Sequence, residues 1–113
     1  MRDNTAYLLD MLLWAREAVD LTEGLSFEAF QRNRTLQLAV LKTLETVGEA
    51  AAQVSAEVRR THAEIPWSRI IGMRNRLVHG YFDINLSRVW ETARRDVPNL
   101  VNQLEHIVPA DTN

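Results

Sequence analysis

The sequence contains no cysteine, which excludes disulfide bonds, thiolate metal ligands and cysteine nucleophiles. It has only 4 glycines and 3 prolines, so long helices are favoured over a turn-rich sheet. No segment approaches the roughly 20 consecutive apolar residues that a membrane-spanning helix needs. What remains is an ordinary globular composition, 46% hydrophobic and 25% charged. A chain of 113 residues suffices for one core, so residues 1–113 are expected to form a single domain.

The amino-terminal segment has a short apolar run that could be confused with a secretion signal. Asp10 and Arg16 interrupt the run, and no small-residue cleavage pattern follows it. We therefore expect a soluble protein located in the cytoplasm, where the absence of cysteine would be unremarkable.

Apolar spacing predicts three helices in the first half of the chain. Residues 3–21 form the first, Ser26 can cap a short second one, and residues 34–61 form the longest. Gly48 lies in the middle of that long helix, where it should cost about 1 kcal/mol relative to alanine. It shares a row of small side chains with Ala52 and Ala56, which predicts that another helix approaches closely there.

Two further helices are predicted in the second half. One begins after Pro66 and ends near His79, where Gly80 can stop it. The other covers residues 86–107, and Pro98 should kink it or split it in two. Residues 109–113 are expected to be a frayed tail. Because no alternating strand pattern occurs, the predicted fold is all-α, an antiparallel helical bundle of four main helices plus a short one.

Charge is distributed unevenly along the chain. Residues 1–58 carry 5 basic and 9 acidic side chains, whereas residues 59–95 carry 8 arginines and 3 acidic side chains. An arginine-rich centre in an acidic chain indicates a local anion site. The alternative is that these arginines only cover solvated helix faces.

The segment Arg74–Tyr81 concentrates the residues that could carry chemistry. Arginine stabilises phosphate charge with a planar set of donors, and histidine exchanges a proton near neutral pH. Metal-free RNA cleavage needs both. The structural alternative is that His79 caps the last carbonyls of its helix, Arg74 is solvated and Tyr81 packs on the bundle.

Other catalytic arrangements have less support in the sequence. The three histidines, His62, His79 and His106, lack the spacing of metal ligands. No glycine-rich phosphate loop is present, and no serine lies in a nucleophile-elbow context. No cofactor is therefore expected.

The chain resembles the HepT-type toxins of the HEPN superfamily, helical-bundle ribonucleases with an Arg-x4–6-His signature. The resemblance covers almost the whole chain and includes Tyr7, Leu8 and Asp10, Leu25–Phe30, Gly48–Ala50, Ile65–Trp67, Arg74–Tyr81, Trp90 and Asp96–Pro98. It implies a metal-independent endoribonuclease in which the 2′-hydroxyl of the RNA is the nucleophile. It also implies a homodimer in which two motifs face one cleft.

The resemblance assigns roles to four residues of the segment. Arg74 would hold the scissile phosphate, and His79 would be the general acid or base. Asn75 would orient the site and Tyr81 would line it. Arg76 is a further supporting candidate, and both Asn75 and Arg76 could instead serve the end of the helix. Glu49 is a further candidate that rests on the resemblance alone, since by spacing it is more typical of a solvated residue.

The resemblance also implies a partner and a mode of control. HepT-type toxins pair with MntA, a small nucleotidyltransferase antitoxin that adds AMP to the motif tyrosine, which corresponds to Tyr81. Two non-catalytic alternatives remain. The bundle could bind and assist a nucleotidyltransferase, or it could be a plain interaction module in which the motif only ends a helix.

Overall fold

The computed structural model describes the backbone of residues 3–79 and 84–108, and the side chains of residues 3–77 and 84–108. Helices account for most of this part of the chain, and it contains no strand. The elements are α1 (Asn4–Thr22), α2 (Phe27–Gln31), α3 (Arg34–Gln53), α4 (Ala56–Thr61), α5 (Trp67–His79), α6 (Leu86–Glu91), a π-helical turn (Thr92–Asp96) and α7 (Val97–Glu105). The predicted all-α class is confirmed. Gly80 and the predicted frayed tail, 109–113, lie outside the described residues.

Side-chain caps explain where most of the helices begin. The oxygen of a short polar residue accepts a hydrogen bond from a backbone N–H in the first turn, as is typical of helix N-caps. The capping residues are Asp3, Ser26, Asn33, Ser55 and Asn85, at the starts of α1, α2, α3, α4 and α6. Ser26 was predicted for this role from the sequence.

The prediction of one helix over residues 34–61 was wrong, because the chain breaks at Val54. The backbone of Val54 is extended, and the Ser55 hydroxyl accepts from the N–H of Val58 to start α4. The guanidinium of Arg59 donates to the carbonyl oxygens of Ala52 and Val54, at 3.1 and 3.0 Å. These bonds satisfy carbonyls that the end of α3 leaves without helical partners. Apolar periodicity continues across the break, so the pattern alone could not reveal it.

The core forms where α1 and α3 pack against each other. They are antiparallel, because Asn4 at the start of α1 is hydrogen-bonded to Ser55 just beyond the end of α3. Helix α7 packs on α1, and α5 packs on α3. The residues that are completely or almost completely buried include Met11, Ala15, Ala18, Phe30, Val40, Leu41, Ala51, Ile65 and Leu104. As a result, α5 and α7 pack against different helices of the core.

The last predicted helix is divided near Pro98, as expected. Proline has no N–H to donate to the carbonyl four residues earlier, and the π-helical turn immediately precedes it. Arg94, within the turn, donates to the buried hydroxyl of Thr22 at 3.1 Å, which ties the turn to the end of α1. In the described part of the chain, no helix is long and apolar enough to cross a membrane.

Candidate active site at the end of helix α5

Buried side chains near both ends of α5 fix this helix on the core. Trp67, the first residue of α5, is buried, and its indole N–H donates to the carbonyl oxygen of His62 at 3.0 Å. Ile65, just before the helix, is 1% exposed, and Leu77 in the last turn is 4% exposed. Since burial of a large apolar side chain contributes about 1.5–3 kcal/mol, these residues hold the helix in one position.

Gly48 of α3 and Arg74 of α5 are in direct contact. A Cβ placed on Gly48 would overlap the Cβ of Arg74 and lie 2.9 Å from its Cγ, and 3.2 Å from the carbonyl oxygen of Ile70. The close helix approach that the small-residue row predicted is therefore confirmed at Gly48. Of the other two positions in that row, Ala56 belongs to α4 instead of α3. The aliphatic stem of Arg74 is held between two helix backbones as a result.

Among the described residues, the guanidinium of Arg74 has few partners. Its Nη1 donates to the Oδ1 of Asn75 at 2.9 Å, while its Nε is buried without any hydrogen-bond partner. None of the ion pairs formed between described residues includes Arg74. A buried donor that lacks a partner costs about 1–3 kcal/mol, so the Nε of Arg74 does not itself stabilise the fold. An arginine so placed can bind an anion such as phosphate.

The structure brings only part of the predicted site together. Asn75 is hydrogen-bonded to Arg74, and Arg76 is exposed on the adjacent face of α5. Glu49 is exposed on α3 and forms no ion pair with Arg74. His79 is the last residue of α5, and its side chain lies outside the described part, as does the whole of Tyr81. The pairing of Arg74 with His79 thus stays a prediction.

Side chains that could bind a metal are dispersed among the residues that the structure describes. No group of three or more His, Asp or Glu lies together there. The Nδ1 of His62 is 3.9 Å from the carboxylate of Glu64, and the Nδ1 of His106 is 2.7 Å from the carbonyl oxygen of Asn102. Each of these two histidines is engaged locally.

A groove of about 1000 Å³ separates α5 from the segment formed by α6, the π-helical turn and α7. Its apolar lining includes Leu44 and Val47 of α3, and four arginines line it as well: Arg69, Arg76, Arg88 and Arg95. This groove was not predicted from the sequence. Its signal was the arginine-rich charge of residues 59–95, but only the fold shows that four of those eight arginines line one surface.

Comparison with known protein families identifies the family of this chain. The family described as "Ribonuclease HepT-like" matches residues 11–107 of the chain. No solved structure gives a significant match.

Several relatives align along nearly the full chain. "Probable ribonuclease HepT" of Thermococcus cleftensis is 32% identical over 106 residues, which cover 94% of this chain and 96% of that protein. "Putative RNase TTE0752" of Caldanaerobacter subterraneus subsp. tengcongensis is 34% identical, with 96% of both chains covered. "Putative RNase MJ0125" of Methanocaldococcus jannaschii is 33% identical, with 95% of this chain and 92% of that protein covered.

Proposed function

Because the chain belongs to the HepT-like ribonuclease family, we propose that it is the endoribonuclease toxin of a toxin–antitoxin pair and acts on RNA in the cytoplasm without a metal ion. The observation that carries this proposal is the state of Arg74. Its stem is fixed against Gly48, its Nε is buried without a partner, and no carboxylate neutralises it among the described residues. A guanidinium in this state is available to bind an anion from outside the chain.

In this mechanism Arg74 binds the scissile phosphate and stabilises the charge that develops on it. The 2′-hydroxyl of the preceding ribose loses its proton to a general base, and its oxygen bonds to phosphorus. The bond from phosphorus to the 5′-oxygen breaks, and that oxygen takes a proton from a general acid. The products are a 2′,3′-cyclic phosphate and a 5′-hydroxyl. His79 exchanges these protons, since imidazole does so near neutral pH.

Supporting roles follow from position in the segment. Asn75 orients the guanidinium of Arg74 through the 2.9 Å hydrogen bond. Arg76 adds positive charge near the phosphate, and Tyr81 lines the site. Glu49, although exposed, occupies the position next to Gly48 and belongs to the proposed site on the resemblance alone.

A homodimer gives each reaction two proton-transfer groups. The motif of one chain contains a single histidine, whereas in-line attack requires both a base and an acid. Two chains related by a twofold axis bring the same surface patch together, so two motifs would face one cleft.

Control of the toxin would depend on a nucleotidyltransferase of the MntA type. The phenol oxygen of Tyr81 attacks the α-phosphorus of ATP, pyrophosphate leaves, and AMP remains on the tyrosine. The added phosphate carries negative charge two residues from His79, close in sequence to Arg74 and Arg76. It would occupy the anion site that the RNA phosphate needs.

The test is incubation of the purified protein with total RNA in EDTA, beside Arg74→Ala and His79→Ala. Arg60→Ala and His106→Ala are matched controls, because both residues are exposed and lie outside the segment. Intact mass must first show that Tyr81 is free of AMP, and circular dichroism that all variants are helical. Cleavage by the wild type and both controls, but by neither segment variant, supports the proposal. Equal behaviour of all five proteins would favour a non-catalytic module that assists a nucleotidyltransferase.

A further inference from the structure

Two arginines of the groove between α5 and α6 have side chains without a partner in the described part of the chain. Among the described residues, neither Arg76 nor Arg88 forms a side-chain hydrogen bond or an ion pair. The other two are engaged: Arg69 lies 3.6 Å from the carboxylate of Asp96, and Arg95 lies 3.6 Å from that of Glu91. The uncompensated positive charge of the groove is therefore concentrated at Arg76 and Arg88.

At one end of the groove, a hydrogen bond and an ion pair join α5 to the segment on the opposite side. Gln103 of α7 donates to the carbonyl oxygen of Glu64, which precedes α5, at 3.0 Å. The ion pair of Arg69 with Asp96 joins α5 to the π-helical turn one step further along. Arg76 lies seven residues after Arg69, so it is about 10 Å further along the helix. The unpaired arginines thus lie toward the end of α5 that carries His79.

We propose that this groove is a second RNA-binding site, which holds the single-stranded nucleotides that flank the scissile bond. This proposal rests on the proposed function and adds to it the binding of nucleotides on either side of the cleaved phosphate. Arg88 and Arg76 bind successive phosphates, and the apolar side chains of Ile70 and Met73 accept the faces of the bases. Recognition of this kind is independent of sequence, because it uses the backbone charge and the apolar base faces.

The charges of the groove favour RNA over a protein partner. The centre of a protein–protein interface is depleted of charged residues, whereas this groove is lined by four arginines and three carboxylates. Two of these carboxylates are paired with Arg69 and Arg95, and the two remaining arginines suit a strand with one negative charge for each nucleotide. Arg76, which lines the groove, lies two residues after Arg74 in α5, so the groove begins close to the proposed phosphate site. A strand held at Arg74 would therefore extend into it.

The experiment compares kcat/KM for two RNAs, one of about three nucleotides and one of about twelve. Arg88→Ala tests the groove, since this side chain is exposed and lies outside the Arg74–Tyr81 segment. Arg60→Ala is the matched control on α4. We expect the wild type to prefer the longer RNA, and Arg88→Ala to reduce that preference about three- to tenfold. The salt dependence of affinity for the longer RNA should decrease by about 0.7 in logarithmic slope, as for one lost contact to a single strand.

A second variant blocks the groove without relying on charge. A side chain at Gly72 would extend into open space on the groove side of α5, so Gly72→Phe should fold and should also reduce the preference for longer RNA. If Arg88→Ala and Gly72→Phe both behave as Arg60→Ala while the wild type cleaves RNA, the groove proposal is overturned and the ribonuclease proposal stands. If Gly72→Phe changes the oligomeric state instead, the groove is a protein interface. If the wild type cleaves neither RNA, both proposals fail.

Discussion

Gly48 and Arg74 occupy adjoining positions on two helices with no room for a side chain between them. Any Cβ at position 48 would overlap the Cβ of Arg74 and press on the carbonyl oxygen of Ile70. Neither neighbour is the free end of a flexible side chain, since one is next to the backbone of α5 and the other belongs to it. The glycine in α3 therefore sets the position of the arginine in α5.

Gly48→Ala should consequently displace α5 and reduce RNA cleavage, even though alanine favours helix formation. Overpacking of this kind typically costs about 1–3 kcal/mol, which exceeds the gain of about 1 kcal/mol from replacing a helical glycine. Urea unfolding and the cleavage assay would measure the two effects. Gly72→Ala is the control, because its added methyl group meets nothing within 4 Å, and it should be neutral or stabilising. Equal stability of the two variants would contradict the argument.

Arg74→Met should abolish cleavage without loss of stability. The thioether side chain can retain the packing of the aliphatic stem on Gly48 while it removes a buried Nε that has no partner. Since an unsatisfied buried donor costs about 1–3 kcal/mol, the free energy of unfolding should stay the same or increase. A large decrease on urea unfolding would instead assign Arg74 a structural role.

Ser55→Ala should destabilise the junction of α3 and α4. The variant loses the cap on Val58 and the hydrogen bond with Asn4 of α1, at 3.2 Å each. Loss of a cap typically costs about 1 kcal/mol, which thermal unfolding would detect. Ser68→Ala, an exposed change within the first turn of α5, is the control and should have little effect.

Tyr81→Phe should escape control by a nucleotidyltransferase partner and keep its cleavage activity. Phenylalanine has the ring but not the oxygen that accepts AMP. The chain contains only 2 tyrosines, so Tyr7→Phe is a complete control. Intact mass after incubation with the partner and ATP should increase by one AMP for the wild type and Tyr7→Phe, and not for Tyr81→Phe. Modification of Tyr81→Phe would place the AMP elsewhere.

Specific activity should decrease on dilution if each cleft needs two chains. Below the dissociation constant of a dimer, monomers have one motif histidine each and lack half of the proton-transfer groups. Light scattering would give the oligomeric state and initial rates would give the specific activity, both over the same range of protein concentrations. Full specific activity in a preparation that scatters as a monomer would exclude a composite site.

Several elements follow directly from local sequence signals. Polar caps such as Ser26, the position of Pro98 and the spacing of apolar residues all act within one or two helical turns. They correctly predicted α1, α2, α5 and the division of the last helix. The same signals failed at Val54, because the apolar spacing continues across the break and one of the contacts that fix it comes from Asn4, 51 residues before Ser55.

The sequence by itself determined the all-α class and indicated the Arg74–Tyr81 segment as the predicted site, because helix periodicity and motif spacing are short-range properties of the chain. Only the tertiary structure decided that Gly48 supports Arg74, and that Arg76 and Arg88 face one groove. Those relationships depend on how separate helices pack, since α5 rests on α3 while α7 rests on α1. A local sequence pattern contains no information about distances between side chains on different helices, and a functional site depends on those distances.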